Sequence, residues 1–268
     1  TEAHVDQGVI GVYYSLQRPV QGGSLAGQDI SIGYYGFEAF GMTGQGSYGM
    51  QNLFTTGVNP SNTRFAFTWR WCYDGIHRAN LVLTNIENID MSADKKAQYI
   101  AECKILRAFF YSRLNELFGD GGIGVPIYLE PILPNEYTKS QSSEAEVWAQ
   151  IIQDLTDAIN EPKLDNNRIN KDGRVSKGTA YALRGRAYMF TKEYQKAADD
   201  FKSVGECGYA LYSDYELLFK EKQERCEEMI LSVEYIAEVG YGSMFQKFCA
   251  PHQAGSGDGT TCWTDIQI

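Results

Sequence analysis

Apolar residues recur at intervals of three and four along most of this chain, and this spacing predicts amphipathic helices. Polar residues occupy the positions between them, so each helix is expected to bury one face. Six stretches show the pattern: residues 4–16, 65–89, 92–117, 143–160, 176–190 and 193–204.

Several of these stretches carry local signals for where a helix begins or ends. Ser143 followed by Glu146 is the pattern of a capping box. Ser92 and Ser176 each stand where an N-cap is expected. The glycine-rich run at residues 119–122 predicts the end of the helix before it.

Two long stretches lack helical periodicity and are rich in glycine and aromatic residues, namely 19–64 and 240–263. Loops of this length are usually functional. Residues 125–129 and 229–233 favour short strands. We therefore predict a mostly α fold of helical pairs over residues 65–235, with long irregular loops and a few short strands.

Residues 178–204 fit the spacing of a tetratricopeptide helix pair. Gly185 and Ala197 are the small residues that would let the two helices approach closely. The large positions are Tyr181, Tyr188, Tyr194 and Phe201. One such pair cannot bury its own apolar face, so further pairs are expected to stack on it.

Composition narrows the possible partners. The 268 residues carry 24 Lys and Arg against 34 Asp and Glu, a net charge of −10. That charge disfavours nucleic acid and anionic membrane surfaces as direct ligands. The 18 Tyr and 27 Gly are in excess and suggest loops that present aromatic surface. No run of 18 apolar residues is present to predict a membrane-spanning helix.

The cysteines do not predict a metal site or a cofactor. None forms a C-x-x-C pair, and Cys249 with His252 lacks the second pair that a zinc site needs. Cys72 and Cys103 fall in helical patterns and are predicted to be buried thiols. Cys249 and Cys262 would form a disulfide only in an oxidising compartment.

Known catalytic motifs are missing from the sequence. Two G-x-G-x-x-G strings begin at Gly44 and Gly119, but neither lies between a strand and a helix, as a dinucleotide site requires. Carboxylate pairs such as Glu227 and Glu228 are expected on solvated faces. We predict that the chain is not an enzyme, although paired carboxylates across a cleft would suit a glycoside hydrolase of helical architecture.

Four segments together resemble the SusD/RagB family. The helix at 71–80 is similar to the family's W-x-x-x-Y-x-x-I-x-x-A-N pattern, with Trp69 at the Trp position. Residues 106–114 resemble its "LRAFYYFRL" block, which residues 118–126 continue. Residues 175–188 resemble the next block. The resemblance covers most of residues 1–235.

The resemblance implies a glycan-binding lipoprotein at the bacterial cell surface that works with a TonB-dependent (SusC-like) outer-membrane transporter. Members are anchored to the outer membrane through a lipidated N-terminal Cys, which would lie upstream of Thr1. Because members are usually about twice as long, residues 1–268 are expected to be the N-terminal part of a SusD-like domain that continues beyond Ile268.

In the family, glycan contacts come from loops outside the repeat. Aromatic rings that stack on sugar rings and planar polar groups that bind hydroxyls are the residue types such a site needs. The candidate platforms are Tyr34, Tyr35, Tyr48, Phe54, Tyr241 and Trp263, and the candidate hydroxyl partners are Gln45, Asn52, Asn62 and Arg64. Packing of these aromatics onto the helices is the competing interpretation.

Two further hypotheses remain open from the residues alone. The repeats would serve equally well as a protein–protein scaffold without a sugar site. The other hypothesis is a glycoside hydrolase of helical architecture.

Overall fold

The computed structural model describes residues 1–17, 63–136, 138–219 and 225–233. The chain divides into two compact units, Thr1–Ser15 with Cys72–Val233 and Leu16–Trp71 with Glu234–Ile268. Most of the second unit lies outside the described residues, and so do Cys249, Cys262 and nearly all of the two predicted long loops.

The described residues form six α-helices, which confirms the mostly helical prediction. They are α1 (Glu2–Gln17), α2 (Thr63–Asn85), α3 (Ala93–Phe118), α4 (Glu144–Ile159), α5 (Lys177–Phe190) and α6 (Tyr194–Glu206). Short 3-10 turns cover Ile86–Asn88, Pro134–Glu136 and Leu217–Phe219. Helix α2 begins two residues before the predicted start.

The helix boundaries follow the predicted signals with one difference. Ser143 and Glu146 form the capping box, in which the Ser143 hydroxyl accepts from the Glu146 amide and the Glu146 carboxylate accepts from the Ser143 amide. Ser176 also caps its helix, and its reciprocal partner is Thr179. Ser92 occupies the N-cap position, but its side chain makes no cap hydrogen bond.

Successive helices pack side by side: α3 contacts α4, α4 contacts α5, and α5 contacts α6. Small residues allow the close contacts. A Cβ on Gly75 of α2 would lie 2.3 Å from the Phe110 ring of α3. A Cβ on Gly185 of α5 would lie 2.6 Å from the Phe201 ring of α6. The two glycines are therefore needed for close approach of the backbone to a neighbouring ring.

The predicted repeat pair is formed by α5 and α6, with Ala197 buried at their contact. The large positions differ from expectation in one respect, because Tyr194 and Phe201 remain exposed over about half of their surfaces. Between the helices, Arg184 donates two hydrogen bonds to Asp200, at 2.8 and 2.7 Å. The pair is thus joined by a salt bridge as well as by apolar packing.

Predicted strands are not formed in the described residues. Residues 229–233 were expected to be a strand, but they run without a partner strand. Instead, Ile230 packs on the apolar cluster around Val204 and Tyr209, and its carbonyl accepts from the Thr179 hydroxyl. A segment whose apolar residues pack against helices can show the same run of apolar residues in its sequence as a buried strand.

Glu102 of α3 is a fully buried carboxylate. The Tyr13 hydroxyl and the Gln98 amide donate to it at 2.9 and 2.8 Å, and Arg174 Nε lies 3.5 Å away. Arg168 completes the group, with its Nη2 atom 3.8 Å from Oε1. Burial raises the pKa of Glu102, and the Arg174 charge and the hydrogen bonds offset part of that rise.

The predictions for three tryptophans and two cysteines are partly confirmed. Trp71 and Trp148 are buried as expected for core residues, whereas Trp69 is half-buried. Cys72 and Cys103 are buried and form no disulfide. Among the described residues, no group of His, Cys, Asp or Glu is placed to hold a metal ion. In the same part of the chain, no helix is both long and apolar enough to cross a membrane.

Candidate functional site

The connection from α3 to α4 folds back on itself, and hydrogen bonds hold its two ends together. Gly121 and Gly122 have positive φ angles of 58° and 121°, which favour glycine. They turn the chain so that Gly124 N donates to Ser142 O at 2.9 Å, and Ser142 N donates to Val125 O at 3.4 Å. The two ends of the segment 124–142 are thereby held together.

Two tyrosines from different helices fix the path of the first half of this segment. Tyr73 of α2 donates to the carbonyl of Pro126 at 2.8 Å. Tyr111 of α3 donates to the carbonyl of Tyr128 at 2.9 Å and accepts from the Tyr128 amide at 2.6 Å. Burial raises the pKa of Tyr73 and Tyr111, so both phenols stay protonated and able to donate.

Asn80 of α2 holds the next residues. Its buried amide donates to the carbonyls of Tyr128 and Glu130, at 3.0 and 2.8 Å. His77, one turn earlier, accepts from the Ile132 amide through Nδ1 at 3.0 Å. These bonds hold the backbone of residues 128–132 against α2.

Arg107 of α3 supports Asn80 from behind. Its guanidinium donates to both oxygens of Asp154 in α4, at 2.8 and 2.7 Å, and to the side-chain oxygen of Asn80 at 2.8 Å. Burial alone would lower the pKa of Arg107, but its hydrogen bonds to Asp154 and that charge outweigh burial and raise it. Arg107 therefore stays charged, and its hydrogen bond to the Asn80 side-chain oxygen determines the orientation of the Asn80 amide.

The segment held in this way lines a surface groove with a volume of about 660 Å³. Its lining mixes apolar and polar side chains: Ile127, Tyr128, Leu129, Glu130, Asn135, Thr138, Lys139 and Ser142. Lys139 Nζ donates to the carbonyl of Ile127 at 2.6 Å and lies 5.0 Å from the centre of the Tyr128 ring. The volume is in the range of small-molecule sites.

The groove offers hydrogen-bond donors and acceptors next to apolar surface. Lys139 supplies N–H donors, Glu130 supplies acceptor oxygens, and the Asn135 amide supplies both. Leu129 is exposed beside them. A ligand with many hydroxyl groups and an apolar ring face would match this combination. A strongly charged ligand would not, because Lys139 and Glu130 oppose each other in sign.

The residues that the sequence predicts as glycan contacts cannot be compared with the groove, because the structure does not describe their side chains. Tyr34, Tyr35, Tyr48, Phe54, Tyr241, Trp263, Gln45, Asn52 and Asn62 lie outside the described residues, and of Arg64 only its place in the first turn of α2 is described. They remain predictions.

Sequence reasoning missed the groove residues. The single signal that pointed to them was length, because the connection from residue 119 to residue 143 is long for two packed helices.

This fold defines a class of protein: a helical-repeat protein with a surface groove whose backbone is held by side chains of the helices. Comparison with known proteins identifies the family: residues 37–189, more than half of the chain, match the family described as "Starch-binding associating with outer membrane", the SusD-like proteins. The chain belongs to that family, and the resemblance seen in the sequence is confirmed.

Relatives and solved structures agree with this assignment. The SusD-like protein P25 of Formosa agariphila is 25% identical over 176 residues, which are 64% of this chain and 32% of that protein. A laminarin binding SusD-like protein has 29% identity and a TM-score of 0.75 over 88% of this chain and 51% of its own.

Surface glycan-binding protein A from Bacteroides uniformis has 25% identity and a TM-score of 0.74 over 88% of this chain and 53% of its own. The chain thus spans about half the length of these two solved structures and a third of the curated relative.

Proposed function

We propose that this chain is part of a non-catalytic glycan-binding protein that captures oligosaccharide or polysaccharide. The observation that carries the proposal is the similarity to a laminarin binding SusD-like protein, at 29% identity over 88% of this chain. The family description, which names starch, supports glycans as the ligand class.

The groove gives the proposal a physical basis in the described residues. Sugar hydroxyls both donate and accept hydrogen bonds, and Glu130, Asn135 and Lys139 offer both kinds of partner. The groove is preorganised because Asn80 and Tyr111 hold its backbone before any ligand arrives, which lowers the cost of ordering on binding. Tyr48 and Phe54 remain proposed platforms of the same protein.

We further propose that the protein works at the outer membrane, anchored by a lipidated N-terminal Cys, and passes its glycan to a TonB-dependent, SusC-like transporter for nutrient uptake. The family's description as associating with the outer membrane supports this location. In this arrangement the acidic chain, with its net charge of −10, has no electrostatic conflict with a neutral glycan.

Binding without bond cleavage is part of the proposal. Each buried acid of the described residues has an arginine partner: Glu102 pairs with Arg174, Asp154 with Arg107 and Asp200 with Arg184. Glycoside hydrolysis needs two carboxylates that face a substrate across a cleft. Release of reducing sugar on incubation with polysaccharide would overturn this part.

A protein–protein scaffold is the second candidate function. Leu211 and Tyr215 favour it, because both side chains are more than three-quarters exposed in one loop after α6. Exposed apolar side chains are typical of protein contacts where they form a continuous patch. Co-purification of a protein partner, together with no binding to any glycan, would support the scaffold.

Isothermal calorimetry against laminarin, soluble starch and a panel of other polysaccharides tests the main proposal. The double variant Asn135→Ala/Lys139→Ala should bind about 30-fold more weakly, because two hydrogen bonds of about 1 kcal/mol each are lost. Lys163→Ala is the matched control, since Lys163 is an exposed lysine paired with Asp94 outside the groove. Equal affinity of the double variant and the control would remove the groove from the site.

A further inference from the structure

One of the contacts that hold the groove segment depends on the charge of a side chain. His77 of α2 is half-buried, and its Nδ1 atom lies 3.0 Å from the backbone nitrogen of Ile132. A backbone N–H can only donate, so the imidazole nitrogen that faces it must be the unprotonated one, and the ring proton must be on Nε2. The contact therefore requires the neutral form of His77.

Ile132 lies between two parts of the chain that line the groove. Residues 127–130 precede it, and Asn135 follows it. It belongs to residues 131–134, the sequence Pro-Ile-Leu-Pro, in which both prolines lack an N–H and have a fixed φ angle. Each proline also restricts the residue before it to extended backbone. Because this stretch is stiff, a bond at Ile132 positions the groove residues on both sides of it.

Protonation of the imidazole removes this contact whichever way the ring is turned. Histidine is the side chain whose charge ordinarily changes between pH 5 and 8. In an imidazolium both ring nitrogens carry a proton, so neither can accept from the Ile132 amide. The bond that ties Ile132 to α2 is then lost, and two donors face each other in its place.

The charged groups on the elements around His77 differ from it in when they titrate. On α2, Asp74 precedes it by three residues on the same helix face, and Arg78 donates to a carbonyl of α1 at 3.3 Å. The groove segment carries Glu130, and on α3 Arg107 is paired with a carboxylate of α4. Carboxyl groups ordinarily titrate near pH 4 and guanidinium groups stay charged. Among these groups, the imidazole is the one that responds between pH 5 and 8.

We propose that His77 is a pH-sensitive positioning residue of the groove: its neutral form holds the segment at Ile132 in the shape that binds glycan, and its protonation releases the segment and weakens binding. This inference rests on the proposed function of the groove and adds its regulation by pH. The direction follows from preorganisation, because a segment that must be ordered again on binding lowers the affinity.

Hydrogen exchange of the Ile132 amide, followed by NMR on the chain without ligand, tests the contact itself. His77→Asn is the reference variant, because its Oδ1 atom replaces the Nδ1 acceptor and does not titrate. The two proteins should exchange alike at about pH 7.5, and the wild type should exchange severalfold faster at about pH 5.5. Comparison at one pH cancels the intrinsic effect of acid on exchange, because the residues next to Ile132 are identical in both proteins.

Calorimetry with laminarin and with soluble starch at the same two pH values tests the effect on binding. Wild-type affinity should fall about fivefold at the lower pH, as for loss of one neutral hydrogen bond. His77→Asn should bind like the wild type at the higher pH and show no pH dependence. His77→Leu has no acceptor and should bind about fivefold more weakly at both pH values. His4→Asn is the matched control, since His4 is exposed on α1 and its replacement should leave the pH dependence intact. Circular dichroism at both pH values establishes that each variant is folded.

The outcomes separate this inference from the function on which it rests. Equal exchange of the Ile132 amide in the wild type and His77→Asn at the lower pH overturns the inference, whether or not a glycan binds. A wild-type affinity that does not change with pH, or that changes equally in His77→Asn, also overturns it and leaves the proposed function standing. Absence of wild-type binding to every polysaccharide at the higher pH overturns the proposed function and, with it, the role of His77 in binding.

Discussion

Replacing Arg107 by Met tests the buried support of the groove most directly. Arg107 and Asp154 are both almost fully buried, and the pair is joined by two hydrogen bonds. In the variant, the Asp154 carboxylate keeps only the Gln150 amide, at 3.1 Å, as a side-chain donor. Asn80 also loses its donor to the side-chain oxygen. A buried charge without its partner is the main expected cost.

The expected loss follows from that burial. Breaking a buried ion pair on one side costs about 3–5 kcal/mol, because the remaining charge has left water without compensation. For a chain of this size, about 4 kcal/mol corresponds to a fall of roughly 10 °C in Tm. Urea unfolding followed by circular dichroism at pH 7 measures the free energy of unfolding, and the shift in its midpoint gives the loss.

Two companion variants show whether the loss depends on the burial of the ion pair or only on its short N–O distance. Lys163→Met breaks the exposed pair with Asp94, which is equally short at 2.9 Å, and should cost at most about 1 kcal/mol. The double variant Arg107→Met/Asp154→Leu removes both charges and should recover much of the loss, since apolar groups replace a buried pair well. A loss below about 1 kcal/mol in Arg107→Met, or a double variant no more stable than the single one, would refute the reasoning.

Three further predictions concern packing, capping and protonation. Gly185→Ala should lower the free energy of unfolding by about 1–2 kcal/mol, because its Cβ would meet a ring at 2.6 Å. Gly205→Ala has open space around it and should raise the free energy of unfolding by up to about 1 kcal/mol. Chemical denaturation measures both changes, and changes of the same sign would contradict the packing. Ser143→Ala should cost about 1 kcal/mol and Ser92→Ala about zero, since only the first side chain makes a cap bond; equal losses in thermal unfolding would count against the assignment. The raised pKa of Glu102 means that the folded chain holds its proton to higher pH than the unfolded chain, so its stabilising contribution is complete below the unfolded pKa and is lost as pH rises through the folded pKa. The stability advantage of the wild type over Glu102→Gln should therefore shrink as pH rises from about 4 to 7 in urea titrations, and an advantage that grows over this range would contradict the sign.

The helices could be predicted from the sequence because their signals are local. Apolar spacing and the capping box at Ser143 each act within one or two helical turns. The cap at Ser92 shows the limit of such signals. The residue is in the expected place, but its side chain makes no cap bond, and the sequence does not specify the side-chain orientation that decides this.

The groove could not be predicted because it depends on contacts between distant parts of the chain. Tyr73 meets Pro126 across 53 positions, and Asn80 meets Tyr128 across 48. Neither pairing has a periodic pattern in the sequence. Residues 125–129 show extended character, but Pro126 and Tyr128 bond to helix side chains, and Val125 and Ile127 bond to Ser142 and Lys139 of the same connection.

These contacts also explain what the family signature specifies. Asn80 and Arg107 fall in the sequence blocks that resemble the SusD/RagB family, and Tyr111 belongs to the second of these blocks. All three bind backbone carbonyls of residues 128–130, at Tyr128, Leu129 or Glu130.

Bonds to backbone atoms fix the course of a segment without depending on its side chains. A protein with the same three residues could therefore carry different side chains in the groove and keep the same support. The signature specifies how the segment is held. Under the proposed function, the ligand is chosen by residues outside the signature, such as Asn135 and Lys139 in the groove. For this reason membership of the family identifies the fold more narrowly than it identifies a ligand.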